Sequence, residues 1–393
     1  MREQTEEIGS ENDLIHIQDM IIIGSVDNLT WKYPTGEFGR PDLDFDTTGL
    51  DRLGGYLDEL IDKVASTHSQ NNCDDHQQLK ADKTNHLTRL ITSEFLFYTN
   101  KTLSLSDFQS LMESVHSQMR DKPANLHLIL SSFAVKTPDG KVMNIVAHIE
   151  SGERPKFNFI VKNHSSALDP HYAQLDDNSC LEVLPNIDIR NNDVINNLGI
   201  LINSVHHPLS YNNSFVCETA AGTKFFSTVE ICLDHCFGAG RHYLAQLANQ
   251  NPEEPPIKQS SHVVVSSTTN IFPDQIPGNF ITAHADPYYS CFPVNQNEGY
   301  FGLKPGIHGS VSQQENPIFG SSTITYLSEP SLLSQLIHMP KQVSGPEFIE
   351  TAAEEPHPTR VYRGAIQELR ASMDSDKPDD QVDLKNPPQN KSI

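Results

Sequence analysis

The chain has 393 residues and a formal net charge of −23. That length suffices for a large buried core, while the acidic balance argues against nucleic acid or an anionic membrane surface as partner. The six cysteines, at positions 73, 180, 217, 232, 236 and 291, are too sparse and irregular for a disulfide framework and predict reduced thiols. No apolar run approaches the length of a membrane span. The acidic start Met1-Arg2-Glu3-Gln4-Thr5-Glu6-Glu7 lacks the basic-then-apolar order of a signal peptide, which predicts a cytoplasmic protein.

Residues 1–16 are polar and predict a flexible N-terminus. Asp19 to Val26, with three consecutive isoleucines, reads as a buried strand. Leu50, Leu53, Leu57, Leu60, Ile61 and Val64 recur at helical spacing and predict an amphipathic helix. The polar run from Ser66 to Asn85 then reads as an exposed loop. Leu87 to Phe95 is a strand candidate ending in an acid, Glu94. Ser106 with Gln109 gives a capping-box signature, ahead of a helix lined by Phe108, Leu111, Met112, Val115 and Met119. A hairpin comes next, Leu126–Lys136 and Val142–Glu150 about the turn Thr137-Pro138-Asp139-Gly140. The strand Phe157–Lys162 ends in a base.

Residues 176–216 are rich in Asn and Asp and show no clear period apart from an apolar patch at 198–205, so they read as an inserted loop or subdomain. Next comes Lys224-Phe225-Phe226-Ser227-Thr228-Val229-Glu230-Ile231-Cys232, whose alternation predicts a strand with Glu230 and Cys232 on one face. The pattern breaks at Cys236-Phe237-Gly238-Ala239-Gly240, and Arg241–Asn249 reads as a helix. A cysteine at such a strand-to-helix turn is rigidly held with its sulfur at the sheet edge. His262–Ser267 and Ser321–Leu327 read as further strands. From about residue 330 the composition turns polar, with one modest amphipathic helix through Val361, Tyr362, Ile366, Leu369 and Met373 and a disordered-looking end. The expected organisation is a flexible 1–16, one α/β domain over 17–330 carrying the 176–216 insertion, and a C-terminal extension over 331–393.

Three of these strands end in reactive groups: Glu94, Lys162 and Cys232. In this order, and with the motifs around them, they resemble the nitrilase (carbon–nitrogen hydrolase) superfamily. Leu90-Ile91-Thr92-Ser93-Glu94-Phe95 looks like the family's glutamate strand, with Ser93 where a proline is common. Asp139-Gly140-Lys141-Val142-Met143-Asn144 resembles its "dG…yN" segment. Phe159-Ile160-Val161-Lys162-Asn163-His164 is similar to the lysine motif, and Val229-Glu230-Ile231-Cys232-Leu233-Asp234 to the cysteine motif. Gly320-Ser321-Ser322-Thr323-Ile324 resembles the late "G-S-S-x-I" strand. The chain departs from the pattern in its long lysine-to-cysteine interval, in His235-Cys236-Phe237-Gly238 after the cysteine, and in a 270–290 stretch without the usual helix. The resemblance implies an α-β-β-α sandwich, a Glu94–Lys162–Cys232 triad working without metal or organic cofactor, and a homodimer to which the Tyr243–Asn249 helix contributes.

The residue types suit that chemistry. An ordinary thiol, with a pKa of about 8.5, is only a few per cent thiolate at neutral pH and needs a base or a nearby cation. Glu94 would take the thiol proton as Cys232 attacks an amide or carbamoyl carbon, and Lys162 would stabilise the oxyanion before water resolves a thioester. Nitriles fit less well. Other readings remain open at this level. Cys232, His235, Cys236 and His242 could bind zinc, although they match no standard spacing. A Cys–His hydrolase could draw its base from His164, His171, His206 or His207. The fold could also be kept by an inactive protein acting as an interaction module, or as an effector delivered into another cell.

Overall fold

Two β-sheets form the centre of the described residues. In the larger, nine strands join in the order β14 (Ser312–Asn316), β15 (Phe319–Tyr326), β1 (His16–Ile22), β2 (His86–Thr92), β3 (Leu126–Lys136), β4 (Val142–Glu150), β5 (Lys156–Val161), β9 (Val205–Ser210) and β8 (Gly199–Ile202). The smaller joins β10 (Ser214–Glu218), β11 (Lys224–Ile231), β12 (Ser260–Val265) and β13 (Ile281–Ala285). A separate two-stranded ribbon pairs β6 (Tyr172–Ala173) with β7 (Cys180–Leu181). This computed structural model describes residues 14–22, 47–94, 96–97, 102–138, 140–164, 172–173, 180–181, 198–250, 260–266, 269, 281–286, 312–316 and 319–326. All of them lie within one compact unit, Met1–Pro340.

The two sheets meet face to face. Ile21, Ile91, Ile129, Val146 and Ile160 on the large sheet share one apolar cluster with Val229, Ile231, Val263, Val265 and Ala283 on the small one. The opposite face of the large sheet is covered by α1 (Thr47–Asn72) and α2 (Leu105–Arg120). Leu57, Ile61 and Val64 of α1 and Phe108, Met112 and Val115 of α2 cluster there with Leu90, Leu128 and Ile145. β2, β3 and β4 are buried on both faces almost throughout, and β3 and β4 accordingly read as largely apolar runs, while β1 and β2 also carry the buried Asp19–Arg89 ion pair. Each fully buried large aliphatic side chain contributes roughly 1.5–3 kcal/mol of transfer free energy before conformational entropy is deducted. On the far face of the small sheet lie α3 (Leu233–Phe237) and α4 (Ala239–Gln250). No described helix is long and apolar enough to cross a membrane.

Strand direction decides which chain ends share an edge. β1, β2 and β3 run parallel, and β3, β4 and β5 are successively antiparallel, so β5 points the same way as β2. Glu94, two residues past β2, and Lys162, the residue after β5, therefore leave the sheet at the same edge. β11, β12 and β13 are mutually parallel, and Cys232 comes directly after the last residue of β11.

Several elements differ from the sequence expectation. α1 runs on to Asn72, through residues read as an exposed loop, because its polar inner face is itself bonded: His68 Nδ1 meets Thr88 Oγ1 at 2.8 Å and His68 Nε2 meets the Ala124 carbonyl at 3.0 Å. The capping box of α2 belongs to Ser104 and Asp107 rather than Ser106 and Gln109. Ser104 Oγ accepts the Asp107 N–H at 3.1 Å, and Asp107 Oδ2 accepts the Ser104 N–H at 3.1 Å. Residues 199–216, expected within an insertion, supply β8 and β9 to the large sheet and part of β10 to the small one. The 270–290 stretch contributes β13. Residues 1–13 and the expected helix at 361–373 lie outside the described residues.

Candidate active site

β2 ends at Thr92, and Glu94 turns its carboxylate back into the protein. Glu94 is 1 % exposed. Its Oε1 accepts two hydrogen bonds, from Lys162 Nζ at 2.9 Å and from Asn144 Nδ2 at 2.9 Å. Asn144 belongs to β4, and its carbonyl also accepts the Lys162 N–H at 2.9 Å. One asparagine thus sets the height of the lysine and the position of the acid. Burying an ion pair is costly unless such additional bonds are present. Here acid and base are both withdrawn from solvent, Lys162 being 6 % exposed.

Cys232 sits at a backbone corner with φ +50° and ψ −107°. A non-glycine residue rarely holds a positive φ unless its surroundings enforce it. The enforcing bonds are visible: Cys232 N–H donates to the Val265 carbonyl at 2.8 Å, and the His235 N–H donates to the Cys232 carbonyl at 3.0 Å. The corner changes the side-chain face. Simple alternation would place Cys232 beside Glu230, but the turn carries it into the inter-sheet cluster with Val229 and Ile231. The sulfur is also more enclosed than a sheet-edge position suggests, with Cys232 only 5 % exposed. Its Sγ lies 2.9 Å from Thr269 Oγ1.

Two bridges draw the three strand ends to one place. Ser266, the residue after Val265, accepts the Glu94 N–H at 3.3 Å, so neighbouring carbonyls hold the backbones of Cys232 and Glu94. Asp234, two residues past Cys232, accepts the Asn163 N–H at 3.0 Å and the His164 N–H at 2.8 Å. These are the two residues directly after Lys162. Asp234 also takes a bond from His164 Nδ1 at 3.0 Å, while Tyr243 Oη of α4 donates to Asn163 Oδ1 at 3.2 Å. Asn144 and Asp234 stand in the sequence motifs without a role of their own. Their functions depend on cross-strand geometry, and the one available signal is their place four residues after Gly140 and two after Cys232.

Behind the cysteine turn is a second polar group. Glu230 Oε2 meets His235 Nδ1 at 2.5 Å and His262 Nε2 at 2.9 Å, and Glu230 Oε1 accepts the Gly240 N–H at 2.6 Å. Burial would raise the Glu230 carboxyl, but the His262 and His235 imidazoles outweigh it and hold the group at about 2. Burial keeps His235 below its ordinary value against the pull of Glu230. Gly240 is required here, since a Cβ would lie 2.9 Å from Glu230 Oε1 as well as against the Thr228 methyl. The network fixes α3 and the start of α4 against β11 and β12.

The rival site readings fare differently. Among the described residues, the clusters whose ligand atoms all lie within 4.8 Å of one another are Glu230–His235–His262 and His127–His148–Cys217. The expected set of Cys232, His235, Cys236 and His242 is not one of them: His235 turns to Glu230, and His242 Nε2 faces Gln246 Nε2 at 2.8 Å. His164 is engaged by Asp234 and stacks on Phe237 at 4.3 Å, and His207 packs edge-on against Phe157. His171 lies outside the described residues. No protein-family model matches the chain, and no curated protein matches it.

Proposed function

We propose that the protein is a nitrilase-like hydrolase of a carbon–nitrogen bond, acting on an amide or carbamoyl compound through Cys232, Glu94 and Lys162. Two facing sheets with helices against both outer faces fit the α-β-β-α sandwich of that superfamily. The observation that carries the reading is the buried Lys162–Glu94 pair at 2.9 Å, tied through Asp234 and Val265–Ser266 to the positive-φ corner of Cys232. A structural ion pair alone would need neither a third strand end nor a strained cysteine.

In this reading Glu94 removes the Cys232 proton as the sulfur–carbon bond forms and the carbonyl electron pair moves onto oxygen. Lys162 faces that developing charge, an effect of about 3–4 kcal/mol for one well-placed donor elsewhere. The proton then passes from Glu94 to the leaving nitrogen, the carbon–nitrogen bond breaks, and ammonia or an amine departs. Glu94 next deprotonates a water that attacks the thioester, and the released thiolate recovers its proton. Asn144 keeps the carboxylate turned toward Lys162, and the near-complete burial of all three residues strengthens each charge interaction.

The test is a panel of small primary amides, carbamoyl amino acids and ureido acids, with ammonia release monitored and the intact protein weighed after acid quench. The expected result is turnover of at least one class, with an acyl mass on Cys232 that disappears in Cys232→Ala. A panel that gives neither ammonia nor adduct, with a folded protein, would point instead to an inactive binding module.

A further inference from the structure

Between the sheets, away from the triad, three strands bring together a second set of groups that the proposed reaction does not use. His127 lies on β3, and His148 and Glu150 lie two residues apart on β4, so all three share the inner face of the large sheet. His127 and Glu150 are direct cross-strand partners. Cys217 faces them from β10 of the small sheet. All four are buried, His148 and Cys217 completely.

We propose that His127, His148, Cys217 and Glu150 form a structural zinc(II) site that staples the two sheets together. His148 Nε2 and His127 Nδ1 stand 3.3 Å apart, with the Cys217 sulfur within 4.8 Å of both. Two nitrogens each bound at about 2.0–2.1 Å to a tetrahedral ion would be separated by about 3.3 Å. Glu150 lies beside this group, its carboxylate accepting the Cys217 thiol hydrogen and pairing with Lys156 Nζ at 3.6 Å, and would supply the remaining corner by turning from Lys156 toward the ion. A thiolate and a carboxylate would cancel the ion's two positive charges inside the sandwich, where an unbalanced charge is expensive, while Lys156, whose side chain is 62 % exposed, keeps its own charge in solvent. The thiol selects zinc over magnesium, calcium or manganese. Three buried protein ligands already stand together, and with Glu150 as the fourth the set would be closed, which is the form of a structural site. A second shell is also present: the Asn158 amide lies 3.3 Å from His148 Nδ1, and with its oxygen turned inward it would accept that N–H and leave Nε2 for the metal.

The experiment uses the full-length, tag-free protein, freed of metal with a chelator and reloaded with zinc or cobalt(II). Elemental analysis after exhaustive dialysis is expected to find one zinc per chain. The cobalt form is expected to show a thiolate-to-cobalt charge-transfer band, lost in Cys217→Ser and kept in Cys73→Ser. Should Cys217→Ser fail to fold, X-ray absorption of the zinc-loaded wild type decides, with one sulfur and two imidazole nitrogens expected. Absence of stoichiometric metal, or a cobalt spectrum without thiolate charge transfer, would overturn the proposal. The second spectrum would direct attention to Glu230, His235 and His262. None of these readouts depends on turnover, so the site stands or falls separately from the hydrolase reading.

Discussion

The two faces covered by helices are built on opposite principles. Under α1 and α2 the large sheet presents Leu90, Leu128, Ile145 and their neighbours, and the contact is apolar except at the end of α1, where His68 and Asn72 meet Thr88. Under α3 and α4 the small sheet presents Glu230 and His262, both completely buried, and the contact is a charged hydrogen-bond network. The first face gains stability from area and shape and tolerates substitutions that preserve both. The second returns its desolvation cost only while every partner is present, and in exchange it fixes one geometry. That geometry is the turn that carries Cys232. The difference suggests that the large sheet is a platform, and that the charged face is where orientation is controlled.

The contrast is sharpest when side-chain shape is held constant. Glu230→Gln keeps the outline of the side chain but removes the charge between two imidazoles. It is expected to cost about 3–5 kcal/mol, as breaking other buried charge pairs does. Leu128→Met, equally conservative in shape, should cost less than about 1.5 kcal/mol. Urea unfolding of both variants checks the pair, and equal losses would erase the distinction.

Proton uptake separates the regions next. His68, inside the first helix layer, is lowered by burial from 6.5 to about 4, partly opposed by its bond to the Ala124 carbonyl. A histidine depressed in the folded state is neutral there while the unfolded chain takes up a proton. Its contribution is therefore present above about pH 6.5 and is lost as pH falls toward 4, amounting to about 3 kcal/mol. Chemical unfolding at steps across that range should show a decline that His68→Gln flattens. A profile unchanged by the substitution would mean that the decline arises elsewhere.

The smallest effect concerns the N-terminus of α2. Ser104→Ala removes the side chain that accepts the Asp107 N–H and should cost about 1 kcal/mol. Ser106→Ala, inside the first turn, should cost less. The reverse order would restore the sequence-based cap.

Legibility in the sequence divides along the same line. β1 to β5 were legible from their apolar clusters, such as Met20-Ile21-Ile22 in β1 and Leu128-Ile129-Leu130 in β3, and the β3–β4 hairpin also carries a strong Pro-Asp-Gly turn signal. β8 and β9 were hidden because they form an edge hairpin, with Leu201 half exposed and Val205 more so, amid Asn-rich chain. The extension of α1 through His68 and Asn72 was missed because its buried residues there are polar. Glu94, Lys162 and Cys232 could be named from motif order. The side to which Cys232 turns could not, since alternation stops at a positive-φ residue. The buried clusters left even less trace. Glu230, His235 and His262 gather from a strand, a turn and a neighbouring strand, and Cys217 reaches His127 across the gap between sheets. Such sets depend on register and on sheet packing, which no local pattern records.

The measurement that bears most directly on the account is the rate at which a small alkylating reagent labels each cysteine across pH, resolved by peptide mass spectrometry. Wild type would be compared with Glu94→Gln and Lys162→Ala. The account predicts that Cys232 labels much faster at neutral pH than the fully buried Cys217 or the remaining cysteines, and that either substitution changes that rate. A Cys232 no more reactive than Cys73, and indifferent to both substitutions, would contradict an assembled nucleophile and leave the Lys162–Glu94 pair as a structural bond alone.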